Sequence, residues 1–199
     1  MIIHAMLRLV RVSIGFALFA QLIGCAAPFN AGNMVPDHVT LVHRLSGDVS
    51  VTVAGNRESS AVGASEISND AFAQAIGNAL DRFGLFTKVE PAGAVARYKL
   101  IAFVGQTDQQ LEGPAQTVKM KVSYQLVDAP TGNTLWAQNV QSRYTATEGG
   151  YLAVVKRLRL ANEGAARDNI QQMLHGISTL EICNSPEIVA PAAGECSPR

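Results

Sequence analysis

The stretch VKMKVSYQLVDAPTGNTLWAQNV, residues 118–140, decides the fold because it contains two strands and the turn between them. In its first half apolar and polar residues alternate, with Val118, Met120, Val122, Tyr124 and Leu126 on one side and Lys119, Lys121, Ser123 and Gln125 on the other. This period of two is typical of a strand with one buried and one open face. The turn DAPTGN at 128–133 predicts a hairpin, in which residues 135–144 return as a long partner strand.

Two amphipathic helices are predicted outside this hairpin. The first is capped by Ser68-Asn69-Asp70 and ends at Gly84, which suits the left-handed position after a helix. Its apolar residues recur at spacings of four, four and three, at Phe72, Ile76, Leu80 and Phe83. The second helix is long and runs from Leu152 to about Leu180. On its outer side, Arg159 and Glu163 form a predicted i,i+4 ion pair.

The remaining segments complete a two-layer arrangement. Strands are predicted at 49–53, 86–90 and 97–105, and residues 108–115 are predicted to form a polar loop. The order strand, helix, three or four strands, helix predicts an α+β fold. In it a mixed sheet of four to five strands carries both helices on one face. The other face presents Lys119 and Lys121 to solvent or to a partner.

Several motifs in this region resemble those of bacterial lipoproteins. They are AFAQAIGNALDRFGLFTKVE at 71–90, ARYKLIAFVGQTD at 96–108, and the hairpin, which has the pattern Y-x-L-x-D-x-x-TG-x-x-LW. The combination is similar to the curli-secretion lipoprotein, the N-terminal domain of the Tol-system periplasmic protein, and penicillin-binding-protein activator lipoproteins. The order of elements is also similar to that of the lipopolysaccharide-assembly lipoprotein. The resemblance covers about residues 48–180 and implies a fold, not an activity.

The first 24 residues have the features of a cleaved signal peptide. Arg8 and Arg11 precede the apolar run 12–24, which is shorter than the roughly 20 residues that a membrane-spanning helix needs. Leu22-Ile-Gly-Cys25 resembles the bacterial lipobox, and this resemblance implies acylation of Cys25, with fatty acids such as palmitate. By the sorting habit of lipoproteins, Ala26 indicates the outer membrane, with the protein facing the periplasm. The alternative is an ordinary signal, cleaved or retained as an anchor, with an incidental cysteine.

The sequence therefore divides into a signal peptide at 1–24, the lipidated cysteine and a tether at 25–47, an α/β periplasmic domain at 48–182, and a C-terminal tail at 183–199. Cys183 and Cys196 lie in the tail. In an oxidising compartment they would form a disulfide, worth roughly 3 kcal/mol if the tail is otherwise ordered. The alternative is two unpaired thiols.

Charge and motif content argue against several function classes. The chain has 16 basic and 16 acidic residues. Loss of the two signal arginines leaves 14 against 16, so nucleic acid is not an expected partner. His38 and His43 are five residues apart and would lie on opposite faces of a strand, so they cannot chelate a metal together. Gly63-Ala-Ser65-Glu-Ile67 lacks the final glycine of a nucleophile elbow. We expect no catalysis, no metal and no cofactor.

Two features are candidates for binding. Lys156, Arg157 and Arg159 would contact lipid headgroups, lipopolysaccharide phosphates or an acidic partner, or else form a solvated face with Arg159 paired to Glu163. Trp136 is either an exposed partner anchor or a core residue. We predict a lipid-anchored, non-catalytic binding or accessory subunit of a cell-envelope complex, whose partners are envelope proteins and the membrane. The alternatives are a lipid or lipopolysaccharide transport or assembly protein and, third, an enzyme.

Overall fold

A computed structural model describes residues 29–55, 67–105, 107–110, 115–147 and 154–180. After a short 3-10 turn at Ala31–Met34, these described ranges contain six strands and two helices. Their order is β1 Leu45–Ala54, α1 Asn69–Phe83, β2 Phe86–Glu90, β3 Tyr98–Val104, β4 Asp108–Gln110, β5 Gln116–Asp128, β6 Thr134–Ala146 and α2 Val154–Ser178. The α+β prediction is confirmed, with a sheet slightly larger than expected.

The six strands form one mixed sheet. β1 lies between β2 and β3 and is parallel to both. β3 and β4 pair one after the other along one edge of β5, and β6 pairs along its other edge, all antiparallel. The extra strand is β4, which falls where a polar loop was predicted. Its three residues are too few to show alternation, and their pairing depends on β5, which begins at Gln116.

Both helices pack on the same face of the sheet, as predicted. α1 lies over β1 and β2, while α2 lies over β5 and β6. The Ser68 hydroxyl accepts a hydrogen bond from the Ala71 amide, and Gly84 adopts a φ of 61° at the C-terminal end of α1. Within the ranges described above, no helix is both long enough and apolar enough to cross a membrane.

The long helix α2 approaches the sheet closely because small residues line its buried side. Gly164 lies against the Tyr144 ring, so near that a side chain at this position would overlap the ring. Twelve residues further along the helix, a β-carbon on Gly176 would be 2.8 Å from Cζ2 of Trp136. Ala161 and Ala165 are also fully buried. The layer between α2 and the sheet is therefore filled by side chains.

Residues 29–44, here called the N-terminal arm, fall in the segment for which a tether was expected. The structure instead packs the arm against both helices. Met34 is fully buried, and the Asn33 side-chain amide donates to Oε2 of Glu163 at 2.9 Å. Further along, the His43 amide donates to the Ser178 carbonyl at 2.9 Å. Burial of the Met34 side chain and these hydrogen bonds to α2 hold this part of the chain on the domain.

Candidate interaction surface

The sheet face that the helices do not cover is the first candidate surface, here called the open face. It carries the polar residues of β5 that alternation placed there, together with neighbours on β3 and β6. Its members are Lys99, Ile101, Phe103, Lys119, Lys121, Ser123, Gln125, Asn139, Gln141 and Arg143. The prediction of one open face is thereby confirmed.

Two large apolar side chains lie exposed on this face. Ile101 is 38% exposed and Phe103 is 55% exposed, both on β3 between β1 and β5. Phe103 is paired in register with Ser123, whose hydroxyl is hydrogen-bonded to Oδ1 of Asn139 at 2.5 Å. Removing an exposed aromatic ring from water lowers the free energy. The position of Phe103 in the middle of the sheet therefore favours contact with another molecule.

Basic side chains lie beside this apolar centre. The Lys119 ammonium is 3.4 Å from Oδ2 of Asp108, an exposed ion pair that contributes little to stability. Arg143 is paired in register with Lys119, and Lys121 with Gln141. The open face thus combines an apolar centre with a basic margin.

The three basic residues predicted to form a cluster on the second helix have different surroundings in the structure. Lys156 is exposed, whereas Arg157 is buried. Arg159 donates from Nε to Oε1 of Glu163 at 3.0 Å, and its guanidinium lies 6.0 Å from the Phe29 ring centroid. Glu163 itself is buried rather than on the outer side of the helix, because the N-terminal arm covers it. These residues belong to the helix layer and do not join Lys119 and Lys121.

Trp136 also lies away from the open face. It is half-buried on the helix-covered side of β6, where it contacts Gly176 of α2 and packs against the core. Its ring centroid is 6.4 Å from that of Tyr124. The six residues named from the sequence as an interaction surface therefore occupy separate places. Only Lys119 and Lys121 come together on the open face.

Ile101 and Phe103 were not named from the sequence as binding residues. In RYKLIAFVG, residues 97–105, the buried positions Leu100, Ala102 and Val104 alternate with Ile101 and Phe103, which are also apolar. Such a strand was expected to be central in its sheet, as it is. One signal could have identified this site. β3 carries apolar residues on both of its faces, whereas the two helices of the sequence can cover only one face of the sheet.

A second concave region lies between α2 and the end of β6. Its volume is about 400 Å³, and its walls include Asn33, Glu163 and Arg167. The Arg167 guanidinium lies 5.8 Å from the Tyr144 ring centroid, within cation–π range. Burial raises the pKa of the neighbouring Asp168, and the positive charge of Arg167 partly offsets this effect. The region is a polar cleft rather than an apolar chamber.

Histidines are found in the N-terminal arm and in α2. Nδ1 of His175 lies 3.1 Å from the Thr40 carbonyl oxygen, and His38 and His43 are exposed on the arm. In the described part of the chain, no group of three or more His, Cys, Asp or Glu residues could hold a metal ion. Cys25, Cys183, Cys196 and Ser65 lie outside the described residues, so acylation, the disulfide and the elbow motif stay predictions.

Comparison with known proteins shows a shared fold. No protein-family model matches the chain, and no curated protein matches its sequence. Protein XCC0632 of Xanthomonas campestris, of the family DUF330, superposes with a TM-score of 0.53 at 10% identity, over 72% of this chain and 91% of its own. Hypothetical protein CT253 of Chlamydia trachomatis gives 0.49 at 9% identity, over 67% and 98%. A minor lipoprotein of Acinetobacter baumannii gives 0.45 at 13%, over 66% and 91%. The first of these likenesses places the chain in the same fold as XCC0632.

Proposed function

We propose that this chain is a lipid-anchored, non-catalytic binding subunit of a cell-envelope complex that uses the open face to hold a partner protein. The observation that carries the proposal is the exposure of Phe103 and Ile101 at the centre of this face. Exposed apolar groups surrounded by polar residues are typical of protein interaction sites. The basic residues Lys121 and Arg143 at its margin would favour a partner with acidic side chains around an apolar contact.

The lipid anchor is part of the same proposal and rests on the sequence. Leu22-Ile-Gly-Cys25 resembles a lipobox, and a short apolar run with two arginines before it precedes this motif. Acylation of Cys25 would hold the domain at a bilayer, where even a weak interaction with another membrane-bound protein gains from the high local concentration. By the sorting habit of lipoproteins, Ala26 after the cysteine would direct the chain to the outer membrane, with the domain facing the periplasm.

Lipid or lipopolysaccharide transport is the second function that the sequence left open. A carrier of this type would hold an acyl chain between the helices and the sheet. The contact of Gly164 with the Tyr144 ring, and of Gly176 with Trp136, fills the layer below α2. This packing supports binding at the surface over binding in the interior.

The proposal is tested by photo-crosslinking in living cells. A benzophenone amino acid replaces Phe103, and in a matched variant it replaces Asn78, which is exposed on α1. We expect one discrete protein adduct from position 103 and none from position 78. Introducing Lys121→Glu into the first variant should weaken the adduct, because it reverses the charge beside the apolar centre.

Mass spectrometry of the adducts distinguishes the functions. A protein crosslinked from 103 supports the binding subunit, whereas lipid adducts alone would favour the carrier. Equal adducts from both positions would contradict the assignment of the open face. The anchor is tested separately by labelling with palmitate. The wild-type chain should be labelled and remain with the envelope, and Cys25→Ser should be unlabelled and released.

A further inference from the structure

We infer that the docked N-terminal arm holds one particular end of the domain against the bilayer, and that the membrane contacts a patch formed by Val154, Val155 and Lys156. This inference rests on the acylation of Cys25 that forms part of the proposed function. It adds an orientation, which a flexible tether would not impose. It also assigns anionic phospholipid as the partner of the patch.

The first step concerns where the arm begins. The Asn30 amide donates to Oε1 of Glu163 at 3.3 Å, and the Asn33 side chain donates to Oε2 of the same residue. The Phe29 ring lies beside the Arg159 guanidinium. Three contacts therefore fix the start of the arm to the first turns of α2, at what is here called the arm end of the domain.

The second step concerns the distance between Cys25 and Phe29, the first residue of the arm. Four residue steps separate Cys25 from Phe29, and a fully extended chain spans at most about 3.6 Å per residue. The acylated residue therefore lies no more than about 14 Å from Phe29. The thioether-linked lipid must enter the bilayer within that distance, so the arm end cannot be far from the headgroups.

The third step is the surface found at this end. Val155 is 74% exposed and Val154 is 45% exposed, in the first turn of α2. Lys156 follows them and is also exposed. Apolar side chains beside a cation suit the interfacial region of a membrane, where the apolar groups enter the acyl boundary and the ammonium meets lipid phosphates.

The opposite end of the domain supplies a contrast. The turn between β5 and β6 contains Pro130, which is exposed. Tyr144, which lies against Gly164 near the arm end, pairs with Val118. From Val118, β5 continues for ten residue steps to Asp128, its last residue. At about 3.3 Å per residue the turn is therefore roughly 33 Å from the arm end. It should face away from the membrane.

The experiment uses the full chain, processed in cells and reconstituted into vesicles of phosphatidylethanolamine and phosphatidylglycerol. Cys183→Ser and Cys196→Ser remove the other thiols, and an environment-sensitive NBD dye is attached at Val155→Cys or at Pro130→Cys. We expect a blue shift of NBD emission at position 155 and none at position 130. Ten Gly and Ser residues inserted after Ala27 should reduce the shift at 155, if the inserted chain lets the domain leave the surface while the arm stays folded.

The outcomes separate this inference from the proposed function. Mass spectrometry of the purified chain shows whether Cys25 is acylated. An acylated chain with no shift at 155, or with equal shifts at 155 and 130, would overturn the orientation and leave the lipid anchor intact. An unacylated chain would overturn both. A shift at 155 alone, smaller in vesicles of phosphatidylcholine, would support the orientation and the preference for anionic lipid.

Discussion

The hydroxyl of Tyr124 donates a hydrogen bond to Oδ1 of Asn169 at 2.8 Å, and this contact joins the middle of β5 to α2 inside the buried layer. The Asn169 amide donates in turn to the Ser142 hydroxyl at 3.1 Å and to the Val140 carbonyl at 3.3 Å. One buried asparagine therefore connects both strands of the hairpin to the helix. Such a network specifies how α2 sits on the sheet, because any other placement leaves buried polar groups without partners.

Replacing Asn169 by Ala should destabilise the domain. The Tyr124 and Ser142 hydroxyls would lose a buried partner, so we expect the free energy of unfolding to fall by about 2 kcal/mol. Urea denaturation measures the difference. The control is Gln171→Ala on the exposed side of the same helix, which should change stability by less than about 0.5 kcal/mol. Equal effects of the two substitutions would contradict the network.

Tyr124 should make the protein sensitive to alkaline pH. Burial raises the pKa of Tyr124 well above the ordinary value of 10.0. Above pH 10 the unfolded chain loses this proton while the folded chain keeps it, so stability falls as the pH rises, by about 1.4 kcal/mol per pH unit. Below pH 10 the residue is protonated in both states and contributes no slope.

Tyr124→Phe removes this titration and tests it. We expect the free energy of unfolding of the variant to fall less steeply than that of the wild type between pH 10 and 11. Between pH 6 and 8 the two curves should run parallel, which controls for other groups. Parallel curves above pH 10 as well would show that the Tyr124 hydroxyl ionises in the folded protein.

Two glycines should respond to alanine in opposite directions. At Gly164 a methyl group would overlap the Tyr144 ring, and we expect Gly164→Ala to cost about 1–3 kcal/mol through overpacking. At Gly77 in α1 the new carbon would be 3.7 Å from Cγ1 of Val89, an ordinary contact. Gly77→Ala should therefore stabilise by about 0.5–1 kcal/mol, because alanine favours the helix. Thermal unfolding measures both, and a lower Tm for Gly77→Ala would contradict the packing of α1.

Glu163 should control the docking of the N-terminal arm. Glu163→Ala removes the acceptor of the Asn30 amide and of the Asn33 side chain, so we expect a loss of about 2–3 kcal/mol of stability. Amide hydrogen exchange should increase at Asn30 and much less at His43, which donates to the Ser178 carbonyl instead.

The conservative substitution Glu163→Gln keeps one acceptor oxygen and serves as the matched control. Exchange at Asn30 should then increase less than in the alanine variant. If neither substitution changes exchange at Asn30, the arm is held by its apolar contacts, chiefly the buried Met34, and not by this carboxylate.

Much of this fold could be predicted from local patterns. The alternation from Val118 to Leu126 was sufficient to identify β5 and its open face, and Ser68 and Gly84 marked the ends of α1 because caps depend on adjacent residues only. The candidate site was predicted less well. Lys119 and Lys121 lie on the open face, but Ile101 and Phe103 were taken only as residues of a central strand.

The parts that could not be predicted depend on contacts between distant residues. Asn33 and Glu163 are 130 positions apart, so nothing near Asn33 indicates that its segment packs against a helix. β4 could not be predicted from local sequence either, because its three polar residues form a strand only through pairing with β5. Burial of Arg157 and Glu163 likewise contradicts their local pattern, which is that of a solvated helix face.

The separation of Asn30 from Glu163 by 133 positions also has a consequence for biogenesis. A chain exported from its N-terminus emerges with the arm first and the docking glutamate long after it. If the chain is exported as proposed, we therefore expect the arm, from Phe29 onward, to stay undocked while most of the polypeptide crosses the membrane. That interval would give processing enzymes access to the Cys25 thiol, which we propose is acylated, before Asn30 and Asn33 dock on Glu163.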